Sequence, residues 1–513
     1  MTSTNSENNK RIAKNTIMLY FRMLITMGVS LYTSRIVLHT LGIEDFGIYN
    51  VVGGVVAMFS IISGSLSVAI SRFITFELGK NNQEKLKNIF SVSITIQYIL
   101  ALIIVILTET IGVWFLNVKM NIPEIRINAA NWVLQFSIFA FAVNLINVPY
   151  NATIIAHEHM KAFAYIGIIE VVLKCIIVFL LVITPYDSLI AYSFSLLLIT
   201  IIIRIIYNIY CKKYFEECSY RFVMDKPLLK SMMSFSGWNF IGVSSAILRE
   251  QGVNIVLNIF CGPILNAARG IAVQVNSAIN GFVSNFMMAL NPQITKSYAT
   301  DNWDYMMMLI QQGARLSFYM LLFLSLPVII ETEYILSIWL NLVPEHACNF
   351  VRLILLFAMS EAISGTLITA MLATGKIKKY QIIVGSLQMM NLPVSYLFLK
   401  MGFFPEITMM IAIFFSQVCL VARLWLLRGM IGLSARYYLQ HVYINVMIVF
   451  FLSGVLPIFI FKNMEQGLIR FLMVSLMSVL STLFVILFVG SSKKERKFVY
   501  EKINIVKNKL YNQ

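Results

Sequence analysis

The sequence predicts an all-α polytopic membrane protein with about fourteen transmembrane helices. They form two pseudo-symmetric six-helix lobes followed by two C-terminal helices. Polarity, run length and an internal repeat carry this expectation. Apolar residues make up 59% of the 513 and charged residues 12%, against about 45–50% and about 25% in soluble chains; the mean hydropathy is +0.79. A chain this apolar cannot cover its own surface in water, which excludes a soluble enzyme. The apolar runs approach the length of about 20 residues that a helix needs to cross a bilayer core of about 30 Å. They are uninterrupted, as over 468–489, whereas strand spans would alternate over about ten residues.

In chain order the spans read as 16–38, 46–70, 90–113, 129–150, 163–184, 189–211, 233–258, 264–290, 309–332, 349–373, 381–401, 407–429, 439–461 and 467–490. The first follows Lys10, Arg11 and Lys14 and has no small-residue cleavage site, so it is read as a span and not as a signal peptide. The connections are short and leave no extramembrane domain for a soluble active site. Cys175, Cys211, Cys218, Cys261, Cys348 and Cys419 lack metal-ligand spacing and read as buried thiols, with no disulfide frame. No cofactor and no metal site is expected. The sequon Asn151-Ala152-Thr153 falls in a predicted loop.

The net charge of +16 invites a nucleic-acid reading, and its distribution excludes one. With loops assigned alternately to two sides, one side gathers Lys10, Arg11, Lys14, Arg72, Lys80, Lys85, Lys87, Lys161 and Lys212, and continues to Lys493, Lys494, Arg496 and Lys497. The opposite loops carry Lys119, Arg126, Lys400 and Lys462. The positive-inside rule then places both termini in the cytoplasm, and the C-terminal lysines are suited to anionic headgroups of membrane lipids.

Sliding the chain along itself until Gly42 falls on Gly262 also sets Ile74-Thr75 on Ile294-Thr295 and Asn82 on Asn302. A six-span unit inserts both copies the same way up, one of the standard transporter plans. The division that follows is a tail over 1–15, an N-lobe over 16–215, a C-lobe over 226–435, two helices over 436–490 and a basic tail over 491–513. Two lobes around a cavity imply alternating access by rocking.

A charge at mid-membrane costs roughly 2.5–3.5 kcal/mol on insertion scales, so each needs a cavity, a partner or the interface. The first span carries Arg22 and Arg35, the seventh Arg249 beside Glu250, and the eighth Arg269. At 1.5 Å rise per residue, Arg22 lies about 9 Å inside one boundary, Arg249 about 24 Å from that side and Arg269 about 9 Å from the other. Guanidinium binds phosphate bidentately and keeps its charge at any relevant pH, so a lumen lined by these four suits an anionic pyrophosphate head. The alternatives are snorkelling and internal pairing, with Glu250 the obvious partner of Arg249. Glu170 and Lys174 share a helix face, and Glu361 and Arg204 await partners. A coupling ion, H+ or Na+, would use Glu170, Glu250 or Glu361.

The segment Tyr32-Thr33-Ser34-Arg35-Ile36-Val37-Leu38, then Leu41-Gly42-Ile43-Glu44-Asp45-Phe46-Gly47-Ile48-Tyr49, resembles the polysaccharide transporter family. That family includes the Wzx-type O-antigen and capsule flippases of bacteria, within the MATE-like multidrug/oligosaccharidyl-lipid/polysaccharide exporter superfamily. The runs Asn266-Ala267-Ala268-Arg269-Gly270-Ile271-Ala272 and Asn291-Pro292-Gln293-Ile294-Thr295-Lys296-Ser297-Tyr298 are similar to its C-lobe. The resemblance implies twelve core helices plus two in the bacterial cytoplasmic (inner) membrane, and transfer of an undecaprenyl-pyrophosphate-linked oligosaccharide to the outer leaflet. It also implies a glycan polymerase and chain-length machinery as partners, and Arg22, Arg35, Arg249 and Arg269 as the positions able to engage pyrophosphate. The competing readings are a drug exporter of the same superfamily and a membrane glycan polymerase or glycosyltransferase. Intramembrane arginines outnumber carboxylates, against the first. The outer loops offer only scattered Glu124, Glu331, Glu333 and Glu345, against the second. No Walker-type loop is present, so ATP is not the direct fuel.

Overall fold

A bilayer-length apolar run has no water to satisfy its backbone, so it closes its own hydrogen bonds as helix. The computed structural model obeys that rule. It describes residues 2–496 apart from 58, 119, 121, 224, 341, 342, 493 and 494, and within these the regular structure is helical. The basic segment from 497 onward, Lys119, and the side chain of Arg35 lie outside the described residues.

The helices are α1 (Thr2–Ala57), α2 (Ser60–Gly79), α3 (Gln83–Leu107), α4 (Val113–Val118), α5 (Ile127–Ala156), α6 (Met160–Ile183), α7 (Ser188–Tyr214), α8 (Lys226–Cys261) and α9 (Pro263–Ala299). They continue with α10 (Trp303–Ile330), α11 (Thr332–Trp339), α12 (Ala347–Thr374), α13 (Lys378–Met389), α14 (Asn391–Lys400), α15 (Ile407–Ile431), α16 (Ala435–Tyr438), α17 (Ile444–Asn463) and α18 (Leu468–Val485). Each predicted span falls on helix, and ten helical stretches among the described residues are long and apolar enough to cross a membrane. The remaining predicted spans lie on α1, α2, α8 and α9. Residues 2–15, the expected N-terminal tail, form the opening turns of α1. Two local readings are corrected. Asn151-Ala152-Thr153 lies in α5 and Thr153 is fully buried. The outer segments read as loops contain the short helices α4 and α11.

Several backbone features recur at the spacing that relates Gly42 to Gly262. Those two glycines take left-handed φ of 76° and 80°, breaking the helix between the first and second spans of each half. Asn81 and Asp301 share a φ of 54°, and the next residues, Asn82 and Asn302, cap the following helix by accepting from Lys85 N at 3.1 Å and Tyr305 N at 3.4 Å. Arg126 and His346 stand at the N-caps of α5 and α12. Each reaches a carboxylate at another helix N-cap: Asp187 before α7 (2.6 Å) and Glu406 before α15 (2.7 Å).

Contacts divide the chain into two compact units, one holding residues up to Ser244 with Met288–Tyr305, the other Ser245–Met287 with the chain from Met306 onward. In the first unit Val37, Val52, Ala130, Val133 and Leu134 form one buried cluster, and Phe90, Tyr150, Ile154, Ile199 and Tyr207 another. Ser65 of α2 donates to the Ser236 carbonyl of α8 at 2.7 Å. Gly79 is required by close approach: a Cβ there would come within 2.8 Å of Ala299 Cβ and 3.2 Å of the Lys296 carbonyl oxygen.

In the second unit the last helices are tied to earlier ones by polar contacts. Tyr319 of α10 donates to the Gly490 carbonyl at 3.0 Å and to Asn445, and Arg315 pairs with Glu495 at 2.7 Å. Arg470 of α18 makes a two-pronged bond to the buried Glu331 at 2.8 and 3.0 Å.

The helix-cap pairs fix an acid limb of stability. Partial burial raises the pKa of Asp187, but the hydrogen bonds from Arg126 and from two backbone N–H groups outweigh it and leave the carboxyl below its usual range. Burial likewise opposes ionisation of Glu406, and the bonds from Asn349 and His346 reverse the balance. A lowered folded pKa contributes stability above the unfolded value, lost as pH falls through the folded one. Detergent-solubilised protein is therefore expected to show a flat thermal midpoint from about pH 7 to about 5, and a falling one below about 4. Asp187→Asn should flatten that fall; an unchanged acid limb would count against the assignment.

Candidate functional site

Of the predicted arginines, Arg22, Arg249 and Arg269 have described side chains; these and Arg423, which the sequence did not single out, differ in what their N–H groups do. Arg22 of α1 lies over the Phe163 ring of α6, with Cζ 4.5 Å from the centroid. Its stem fills the space left by Gly167, where a Cβ would stand 2.9 Å from Arg22 Cδ. Glu170 and Tyr207 lie within electrostatic reach, but among the described residues no carboxylate bonds to this guanidinium. Glu170 is held instead by Lys174 at 2.6 Å, as the four-residue spacing predicts.

Arg249 of α8 repeats the arrangement over Phe357 of α12, 4.9 Å from the centroid. No ion pair joins it to Glu250 among the described residues. The physical reason is angular: neighbouring helix positions diverge by about 100°, so adjacent side chains do not meet. Stacking uses the face of a guanidinium and leaves its in-plane donors free.

Arg269 and Arg423 each bond to protein acceptors, although Arg269 Nε and Arg423 Nη1 are buried without a partner among the described residues. Arg269 of α9 is 5% exposed, and one terminal nitrogen donates to the Glu250 carbonyl at 3.0 Å and to Asn254 Oδ1. It braces α9 against α8 across the Gly262 turn. Arg423 of α15, 1% exposed, donates to Tyr380 at 3.0 Å and stands 3.8 Å from Glu361. Glu361 also accepts from Ser416 at 2.6 Å, and Ser416 is linked to Ser360 and through it to Gln417. The awaited partner of Glu361 is thus Arg423. Arg204 lies over Tyr150 at 4.0 Å.

Sequence reasoning also missed Glu158, in the turn between α5 and α6. Its carboxylate is fully buried and takes Arg11 at 2.8 Å, Lys296 at 2.6 Å and Gln293 at 2.7 Å. Asn15 donates to the Glu158 carbonyl at 3.2 Å, and the residue takes a left-handed φ of 61°. The start of α1, the α5–α6 turn and the end of α9 are joined through this one side chain. A lone glutamate in a His-Glu-His turn gave no signal of it.

Outside the ten most apolar stretches, α8 and α9 carry Arg249, Gln251, Asn254, Asn258, Asn266 and Arg269 in close succession, which is costly against lipid and suited to a wet or ligand-facing surface. All-helical architecture among the described residues and ten bilayer-length apolar stretches define a multi-pass membrane protein. Solved structures with the same fold include a MATE in complex with MaD3S (14% identity, TM-score 0.71, covering 83% of this chain and 96% of that one). Another is an outward-facing multidrug resistance MATE family transporter of the MOP superfamily (13%, 0.70, 82% and 96%). A third is a MOP superfamily transporter from Pyrococcus furiosus, described as having a binding pocket of reversed polarity (13%, 0.68, 82% and 96%). No curated protein matches the sequence significantly. The family model described as polysaccharide biosynthesis protein matches residues 12–298, more than half of the chain, and the chain belongs to that family.

Proposed function

We propose that this chain is a flippase that moves an undecaprenyl-pyrophosphate-linked oligosaccharide from the inner to the outer leaflet of the bacterial cytoplasmic membrane. Both termini face the cytoplasm in this reading, and residues 16–215 and 226–435 act as rocking N- and C-lobes, with 436–490 as accessory helices. The recurrence of turns and caps at one constant spacing supports two copies of one unit. The observation that carries the proposal is the pair Arg22 and Arg249: two guanidiniums on spanning helices, each seated on a phenylalanine and without a hydrogen-bond acceptor among the described residues. A phosphate accepts such a fork bidentately.

Arg22 and Arg249 are the residues that engage the pyrophosphate in this reading, and Arg269 holds the α8–α9 elbow in shape. Of the carboxylates, Glu170 and Glu361 have resident cations, which leaves Glu250 the freest for H+ or Na+ coupling. A polymerase and chain-length machinery would receive the product. The solved multidrug transporters keep drug export as the second reading; two stacked arginines without carboxylate partners among the described residues, against the one carboxylate Glu250, favour an anionic cargo.

Charge-assisted hydrogen bonds contribute about 1.5–3 kcal/mol each. Arg22→Ala and Arg249→Ala are therefore each expected to reduce export about tenfold to about a hundredfold, with expression and thermal midpoint unchanged. Export is read as surface glycan formed by a strain deleted for this gene and complemented with each variant. Undiminished glycan in both variants would overturn the cationic-site reading.

A further inference from the structure

A cleft of about 260 Å³ opens in the second unit beside the Gly262 turn, lined by Gln251, Asn254, Ile255, Asn258 and Ile259 of α8 and Asn266 of α9. Gln251, Asn254 and Asn258 are spaced three and four apart and so share one helix face. We infer that this cleft binds a neutral, hydroxyl-rich sugar ring, separately from the arginines that take the anionic head. The inference rests on the export reading for its place in the cycle.

The lining is polar without being charged. The adjacent cation, Arg269, is turned inward onto the Glu250 carbonyl and Asn254 Oδ1. With Oδ1 occupied, the Asn254 amide nitrogen is directed to Gln251 Oε1, at 3.3 Å. Asn266 Oδ1 is buried and has no partner among the described residues, so it lacks a donor. Amides both give and accept hydrogen bonds, as hydroxyls do, whereas phosphate and carboxylate only accept. An anion here would meet the Asn266 oxygen with two acceptors face to face.

Ile255 and Ile259, 61% and 67% exposed, complete the cleft with an apolar edge suited to the C–H face of a pyranose. The volume falls below the about 300–1,000 Å³ of drug-sized ligand sites, which limits the occupant to one ring of a longer glycan.

The test uses full-length protein in lipid nanodiscs and saturation-transfer NMR. Neutral probes are galactose, rhamnose and N-acetylglucosamine; anionic probes are glucuronate and inorganic pyrophosphate. Transfer to at least one neutral sugar is expected, reduced about tenfold in the Gln251→Leu/Asn258→Leu double variant through two lost hydrogen bonds. The isosteric Gln251→Glu/Asn258→Asp variant, which removes donors without changing volume, should lose it too and guards against a folding defect. No transfer from any neutral sugar, equal transfer from glucuronate, or signals unchanged in both variants would overturn the assignment. Failure of the export reading would show instead as full surface glycan in the Arg22 and Arg249 variants, and leaves this result standing.

Discussion

Glu158→Ala should be among the most damaging single substitutions in the first unit, lowering stability toward the lower end of about 3–5 kcal/mol. That range follows from removing one member of a buried charge cluster and leaving the others unmatched. The carboxylate is fully buried, but Arg11 keeps 47% and Lys296 23% of side-chain exposure, so water relieves part of the loss. Gln293, 2% exposed, has no such relief. Glu158→Gln keeps the shape and an acceptor and should fall between. Thermal unfolding in detergent, followed by intrinsic fluorescence, reads the effect; an alanine variant as stable as the parent would refute the cluster's role.

A second readout follows from the proposed cycle. In the proposed cycle the end of α9 leaves α1 and the α5–α6 turn, which Glu158 joins. A cysteine placed at the buried Ser297, in a background without the native cysteines, should react with maleimide several-fold faster once Glu158 is alanine.

The other large effect is expected at Arg423. Replacing this 1% exposed arginine with leucine leaves Glu361, 25% exposed and still bonded by Ser416, without its cation, and destabilisation toward the lower end of about 3–5 kcal/mol is expected. Removing both charges, as Glu361→Gln/Arg423→Leu, should restore much of the loss, because apolar or neutral replacements of a whole buried pair are often tolerated. The double-mutant cycle supplies the coupling energy. Strict additivity would mean that the two charges act independently and that Glu361 keeps its charge for another role.

The helices were legible because hydropathy is a local property: a long apolar run in lipid has one backbone solution, whatever packs beside it. Gly42 and Gly262 matched in the repeat and fall in the connections left between expected spans; that both take left-handed φ, which a residue without Cβ adopts at little cost, came from the structure. The fate of each arginine was not legible. Arg22 is seated by Gly167 and Phe163, far along the chain, and Arg269 by an asparagine on the far side of a turn. Which face of a helix meets which neighbour is set by packing between helices, and a single sequence does not encode that rotation visibly. The Glu158 cluster escaped for the same reason, its three donors coming from α1 and α9.

The contact between Gly79 and Ala299 has a meaning of its own, because these two positions are equivalent in the repeat, as Gly42 and Gly262 are. A Cβ added at Gly79 would stand 2.8 Å from the Ala299 Cβ and 3.2 Å from the Lys296 carbonyl oxygen, so the end of α2 and the end of α9 leave each other no spare room. Small side chains on both sides are the geometric outcome. Bulk introduced at either would wedge the end of α2 away from the end of α9.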